Sequence, residues 1–168
     1  MSNDKASPEP GWARNTGHAR LKALDAQRSL GEGNERGLIA ERIYRYGWAY
    51  DERDSSLLRD CFTEDGVWEG MIMGLTKVGP FAGREEITTF LTDFWNVQTD
   101  QRRHVFTNVI VDDLTATSAM AHAYLILTAS TLSSMVPVTV GPYRFSMVKE
   151  SDGVWRMQRL VGGFDAPF

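Results

Sequence analysis

The sequence predicts an α+β fold in which a curved antiparallel sheet wraps around three N-terminal helices. Three observations carry this expectation. Ile39, Ile43, Tyr46 and Tyr50 recur at intervals of four, three and four residues, one face of a 3.6-residue repeat. Ile87, Phe90, Leu91, Phe94 and Trp95 follow helical spacing again. From Arg102 onward the chain is rich in Val, Ile, Thr and aromatic residues, the composition of strands. Helices followed by a meander of long strands is an α+β order.

Each element follows in turn. Residues 1–17 are polar and interrupted by Pro8, Pro10 and Gly11, which reads as a mobile arm. Leu21, Leu24 and Leu30 fall on a possible short helix that Gly31 and Gly33 would end. The expected division is therefore an arm over 1–33 and one domain over 34–168. The first core helix starts near Asn34 or Glu35, and Asp54 is placed to cap a second through Leu57, Leu58 and Phe62. Thr63 to Gly66 turn into a strand around Val67 to Ile72, and a Gly- and Pro-containing loop follows. Glu85 and Glu86 then occupy the first turn of the third helix, where its dipole favours acids. Strands are expected at 103–111, 117–129, 140–149 and 153–161, with Ala129 to Pro137 as a loop-like or bulged interruption.

Composition narrows the function classes. At 168 residues the chain fits one domain, which buries roughly 70% of its unfolded surface. A 42% hydrophobic content with five Trp and eight Phe excludes a disordered chain. Eighteen Lys and Arg against 22 Asp and Glu give a net charge of -4, with no basic run beyond Arg102-Arg103, so nucleic acid is not an expected partner. No stretch approaches the ~18 apolar residues of a membrane span or forms a secretory signal, and Cys61 is the only cysteine. A cytoplasmic protein with a buried thiol is expected.

His104 heads the chemical candidates, because an imidazole both takes and returns a proton near neutral pH. Spacing alone favours a hydrogen-bonded structural histidine. If the following turn lies around Asp113 to Thr115, Tyr124 faces His104 and His122 faces Phe106. One concave face would then carry His104, Phe106, Asn108, His122, Tyr124 and Thr128, an arrangement that a one-residue slip destroys. Tyr50 and Asp51, about 100° apart around the end of the first helix, can both border a pocket, or serve only in packing and at the helix end. His104, His122 and Asp51 could be imagined as a metal triad, but no spaced ligand motif supports it. The glycines at 31, 33, 74 and 83 form no nucleotide loop.

Four segments in order, YDERDSSLLRDCFTEDGVWEG at 50–70, GPFAGREEITTFL at 79–91, RRHVFTNVIVD at 102–112 and DGVWRM at 152–157, resemble the scytalone dehydratase and SnoaL-like families. The resemblance implies a cone-shaped, nuclear-transport-factor-2-like or cystatin-like fold with a ligand pocket, as a homodimer or homotrimer. It implies that Tyr50 donates to a substrate carbonyl and that Asp51 lies near His104. Where the dehydratases carry a second tyrosine this chain has Gly70, with Trp68 beside it, and Arg144 stands where they have an asparagine. A different substrate is therefore expected, with Trp68, Phe106, Asn108, His122, Tyr124 and Arg144 as binding residues. The function expected is a cofactor-independent lyase or isomerase acting on a small, hydrophobic, cyclic carbonyl compound. The alternatives are an isomerase or hydrolase with Asp51 as base, and a noncatalytic subunit resembling the small subunit of aromatic-ring-hydroxylating dioxygenases.

The strand VGPYRFSMV is apolar at nearly every position, which predicts cover on both faces. Its outer face, with Tyr143, Phe145 and Met147 or their opposite-parity neighbours, is expected to bind another copy. Arg102 is expected at the rim.

Overall fold

The computed structural model describes residues 34–168, and the expected arm over 1–33 lies outside them. The elements are helix α1 (Glu35–Asp51), α2 (Ser55–Asp60), strands β1 (Phe62–Ile72) and β2 (Thr76–Ala82), helix α3 (Arg84–Asp93) with a 3-10 turn at Phe94–Asn96, then β3 (Gln101–Asp112), β4 (Ser118–Ser130), β5 (Met135–Lys149) and β6 (Trp155–Phe164). The α+β class is as expected. The six strands run in the order β2-β1-β6-β5-β4-β3, and β1 pairs with β6 in parallel, so the sheet is mixed. The segment read as a Gly- and Pro-containing loop forms β2, because Val67, Trp68 and Gly70 of β1 offer it a pairing edge.

The helices lie on the concave side. Ile39, Ile43, Tyr46 and Tyr50 are all buried, as the period requires, against inward residues of β3 to β6 such as Phe106, Leu125, Phe145 and Leu160. Asp54 caps α2 by accepting from the Leu57 N–H at 3.1 Å. Arg42, fully buried, ties the layers together: its Nε donates to the Trp155 carbonyl at 2.7 Å and its Nη1 to Asp60 at 3.1 Å, beside the buried thiol of Cys61.

The register of β3 against β4 differs from the expected one. His104 pairs with Leu127 and Phe106 with Leu125, a slip of three residues. An odd slip exchanges the faces of β4. Ala121, Ala123, Leu125 and Leu127 therefore point inward, while His122 and Tyr124 point out. On β5, Tyr143, Phe145 and Met147 are buried and Arg144 is exposed beside His122. The outer face is thus the opposite-parity set, and Val105, Ile126 and Val140 form an exposed apolar row across three strands.

Candidate active site

The site grows from the end of α1. The sheet order leaves β3 at an edge, where alternate backbone N–H groups lack a strand partner. Asp51 takes one of them: its Oδ2 accepts from the His104 backbone N–H at 2.8 Å. Its Oδ1 lies 2.7 Å from His104 Nδ1. Gln101 Nε2 adds a third tie to the Asp51 carbonyl at 3.3 Å. Because an ionised carboxylate only accepts, Nδ1 carries the ring proton and Nε2 keeps its lone pair. Nε2 takes no partner among the described residues, and His104 lines an interior cavity of about 290 Å3.

Tyr46, Trp68 and Tyr143, each almost wholly buried, form the floor of that cavity, and Val97 and Phe168, both exposed, mark its rim. The ring of Tyr50 stands edge-on to His104 at 4.8 Å between centroids, and its hydroxyl accepts from Gln98 Nε2 at 3.0 Å. Gln98 is itself fixed through its carbonyl, which accepts from Arg53 Nη2 at 2.9 Å. Burial pushes the Tyr50 hydroxyl up to about 12, partly opposed by the Gln98 hydrogen bond. Tyr50 therefore stays a proton-bearing donor at neutral pH.

Of the sequence candidates, Tyr50, Asp51, His104 and Trp68 come together. Phe106 supports the His104 ring from the core, stacked at 6.4 Å, without reaching the cavity wall. The other four do not join them. Asn108 sits at a bulge with φ 54 and is exposed, His122 and Tyr124 lie on the outer face because of the register slip, and Arg144, paired with His122 on the next strand, shares that outer face although the resemblance implied a binding position. Thr128 pairs with Arg103, away from the wall. Arg102, expected at the rim, lines the cavity with its side chain 17% exposed, its Nε donating to Asp100 at 2.7 Å. Gly70 keeps a second tyrosine out: a Cβ there would meet Phe164 Cε2 at 2.9 Å and Trp68 Cη2 at 3.1 Å. Among the described residues no three His, Cys, Asp or Glu side chains gather as a metal site.

Sequence reasoning missed Tyr46, Gln98 and Tyr143 as cavity residues. Tyr46 carried a signal, since it precedes Tyr50 by one helical turn. Tyr143 would have needed the register, and Gln98, in a loop, carried none.

A curved sheet closed over helices around an internal pocket, with His104 in its wall and Asp51 behind the imidazole, is the architecture of a nuclear-transport-factor-2-like domain. Residues 32–161 match the model of the SnoaL-like domain, and the chain belongs to that family. No match was found among curated proteins. Solved structures are similar in fold. A Catenulispora acidiphila protein in complex with S-DNPA has a TM-score of 0.69 at 24% identity, over 79% of this chain and 95% of that one. An NTF2-like protein with a cystatin-like fold from Novosphingobium aromaticivorans has a TM-score of 0.66 at 22% identity, over 78% and 82%. A protein from the same organism, provisionally named an aromatic ring hydroxylase, has a TM-score of 0.65 at 26% identity, over 81% and 91%. No described helix is long and apolar enough to cross a membrane.

Proposed function

We propose that this chain is a cofactor-independent lyase or isomerase that removes a proton from the carbon beside the carbonyl of a small, hydrophobic, cyclic compound. The observation that carries the reading is the 2.7 Å contact from Asp51 to His104, whose ring lines an aromatic cavity. His104 Nε2 takes the proton, and the electron pair of the broken C–H bond moves into the enolate. Tyr50 donates a hydrogen bond to the enolate oxygen. The imidazolium, stabilised by Asp51, then returns its proton either to a departing β-hydroxyl, releasing water, or to another carbon, moving the double bond. Each positioned acid-base group contributes ~10²- to 10⁴-fold in rate.

Asp51 as the base has less support, because both of its oxygens already accept from His104 and it is not in the cavity wall. A noncatalytic subunit has no need of an open cavity with an unpartnered imidazole nitrogen. Work on a small metabolite with a buried lone thiol fits the cytoplasm.

The test uses 1-tetralone in heavy water, with exchange of its C2 protons followed by NMR. The wild type should accelerate exchange and His104→Gln should not. Equal rates with both proteins, on 1-tetralone and on 2-tetralone, would remove the reading.

A further inference from the structure

Two cavity tyrosines, Tyr46 and Tyr143, have hydroxyls that the proposed reaction does not use. An indole N–H only donates, so the 3.2 Å bond from Trp68 Nε1 makes the Tyr46 oxygen an acceptor. Its own hydrogen must go elsewhere, and among the described residues no acceptor takes it. Tyr50 repeats the pattern: Gln98 occupies the acceptor side of its oxygen and leaves the hydrogen unspent. Tyr143 is only 3% exposed, yet its Oη has no partner among the described residues and is not sealed from the cavity.

Three phenolic hydrogens thus remain undonated in a wall whose neighbouring surface is Phe90, Phe94, Leu127 and Phe164. Donors that face a cavity and have no protein acceptor are met either by water or by an acceptor that a ligand brings, and a ligand that displaces the water must supply that acceptor or lose the hydrogen bond. We infer that Tyr46, Tyr50 and Tyr143 form a binding site for ring-borne oxyanions, and that the ligand class is a cyclic enolate or phenolate. The inference rests on the acid-base reading above for the role of Tyr50. Donors of this kind distinguish charge, because a hydrogen bond to an anionic oxygen is about twice as strong as one to a neutral oxygen. They act most strongly where water is excluded and the donors are held in place beforehand. Burial pushes the Tyr46 and Tyr143 hydroxyls well above the usual tyrosine value, so both remain donors while an anion forms beside them. Arg102 adds positive charge to the same cavity, offset in part by Asp100.

The probe is 4-nitrophenol, whose anion is read by its visible absorbance between pH 5 and 9. 4-Nitrotoluene serves as a control of similar shape without the oxygen. The wild type should bind the phenolate at least about tenfold more tightly than the phenol. Tyr143→Phe and Tyr46→Phe should each cut that preference several-fold while leaving 4-nitrotoluene binding unchanged. Equal binding of phenol and phenolate would overturn the inference, as would 4-nitrotoluene binding as tightly as the phenolate. So would a preference that survives Tyr143→Phe and vanishes in Arg102→Gln, which would assign it to the guanidinium. Should Tyr143→Phe fail to fold by circular dichroism, Tyr46→Phe and the wild-type comparison decide. Tetralone exchange separates the two readings. Exchange without phenolate preference overturns the oxyanion site alone, and phenolate preference without exchange overturns the reaction alone.

Discussion

Gly47 lies directly against His104: a Cβ built on it would sit 3.1 Å from both the Cβ and the backbone carbonyl of His104. The missing side chain lets α1 approach β3 closely enough for Asp51, one turn later, to reach the imidazole. Gly47→Ala opposes two effects, a helix-propensity gain of about 1 kcal/mol and an overpacking cost of ~1–3 kcal/mol. The contact falls on backbone, which cannot rotate away, so overpacking should win. The expected result is a lower Tm together with slower tetralone exchange, and a variant more stable and equally active would contradict the account.

Asp51→Asn should leave the fold in place and slow exchange by about 10²-fold or more. An amide offers one acceptor where the carboxylate offers two, so one of the two His104 N–H groups loses its partner. With the amide N–H facing Nδ1, the ring proton moves to Nε2 and the base is lost. Comparing exchange rates with thermal melts separates this loss from unfolding.

Alkaline stability should fall in a defined window. Tyr50 is raised to about 12 in the folded chain, against the ordinary value near 10. A raised folded value means the unfolded chain loses its proton first. The associated stability is fully present below pH ~10 and disappears as the pH climbs toward 12. Tyr46 and Tyr143 shift in the same direction. Tyrosinate absorbance followed with circular dichroism should show that these three of the five tyrosines ionise only as the fold is lost. Reversible ionisation of all five near pH 10 in folded protein would refute it.

The row of Val105, Ile126 and Val140, with Tyr124 beside it, should be covered by a second copy of the chain. Light scattering at micromolar concentration should give a dimer or trimer for the full chain, and the Tyr124→Lys, Ile126→Glu double variant should give a monomer. Deleting residues 1–33 should not change the assembly. A full-length wild-type monomer would refute the prediction.

The helices were legible because their apolar residues repeat with the period that burial enforces. Ile39 to Tyr50 could be placed without knowing what they face. The Asp51–His104 contact was legible only through the resemblance, since nothing local links residues 53 apart in the chain. The face of β4 was not legible, because parity depends on the turn beyond Asp112 and on the bulge at Asn108, whose positive φ no alternation pattern reveals. That one uncertainty moved His122 and Tyr124 to the wrong side of the sheet, while the faces of Arg144 and Tyr143 could not be told from a strand that is apolar at nearly every position. β2 was missed because Gly79 and Pro80 read as a turn, while its pairing partner in β1 supplies what the strand itself lacks.

Cys61 gives the molecule a built-in clock. It is the only thiol in the chain, it is fully enclosed beside Arg42, and burial pushes its pKa up. A thiol reagent can reach it only when the contact between α1, α2 and the start of β1 comes apart. The rate of labelling in native buffer therefore counts openings of that corner one at a time, and comparing it with global unfolding tells whether the helices leave the sheet separately or together with it.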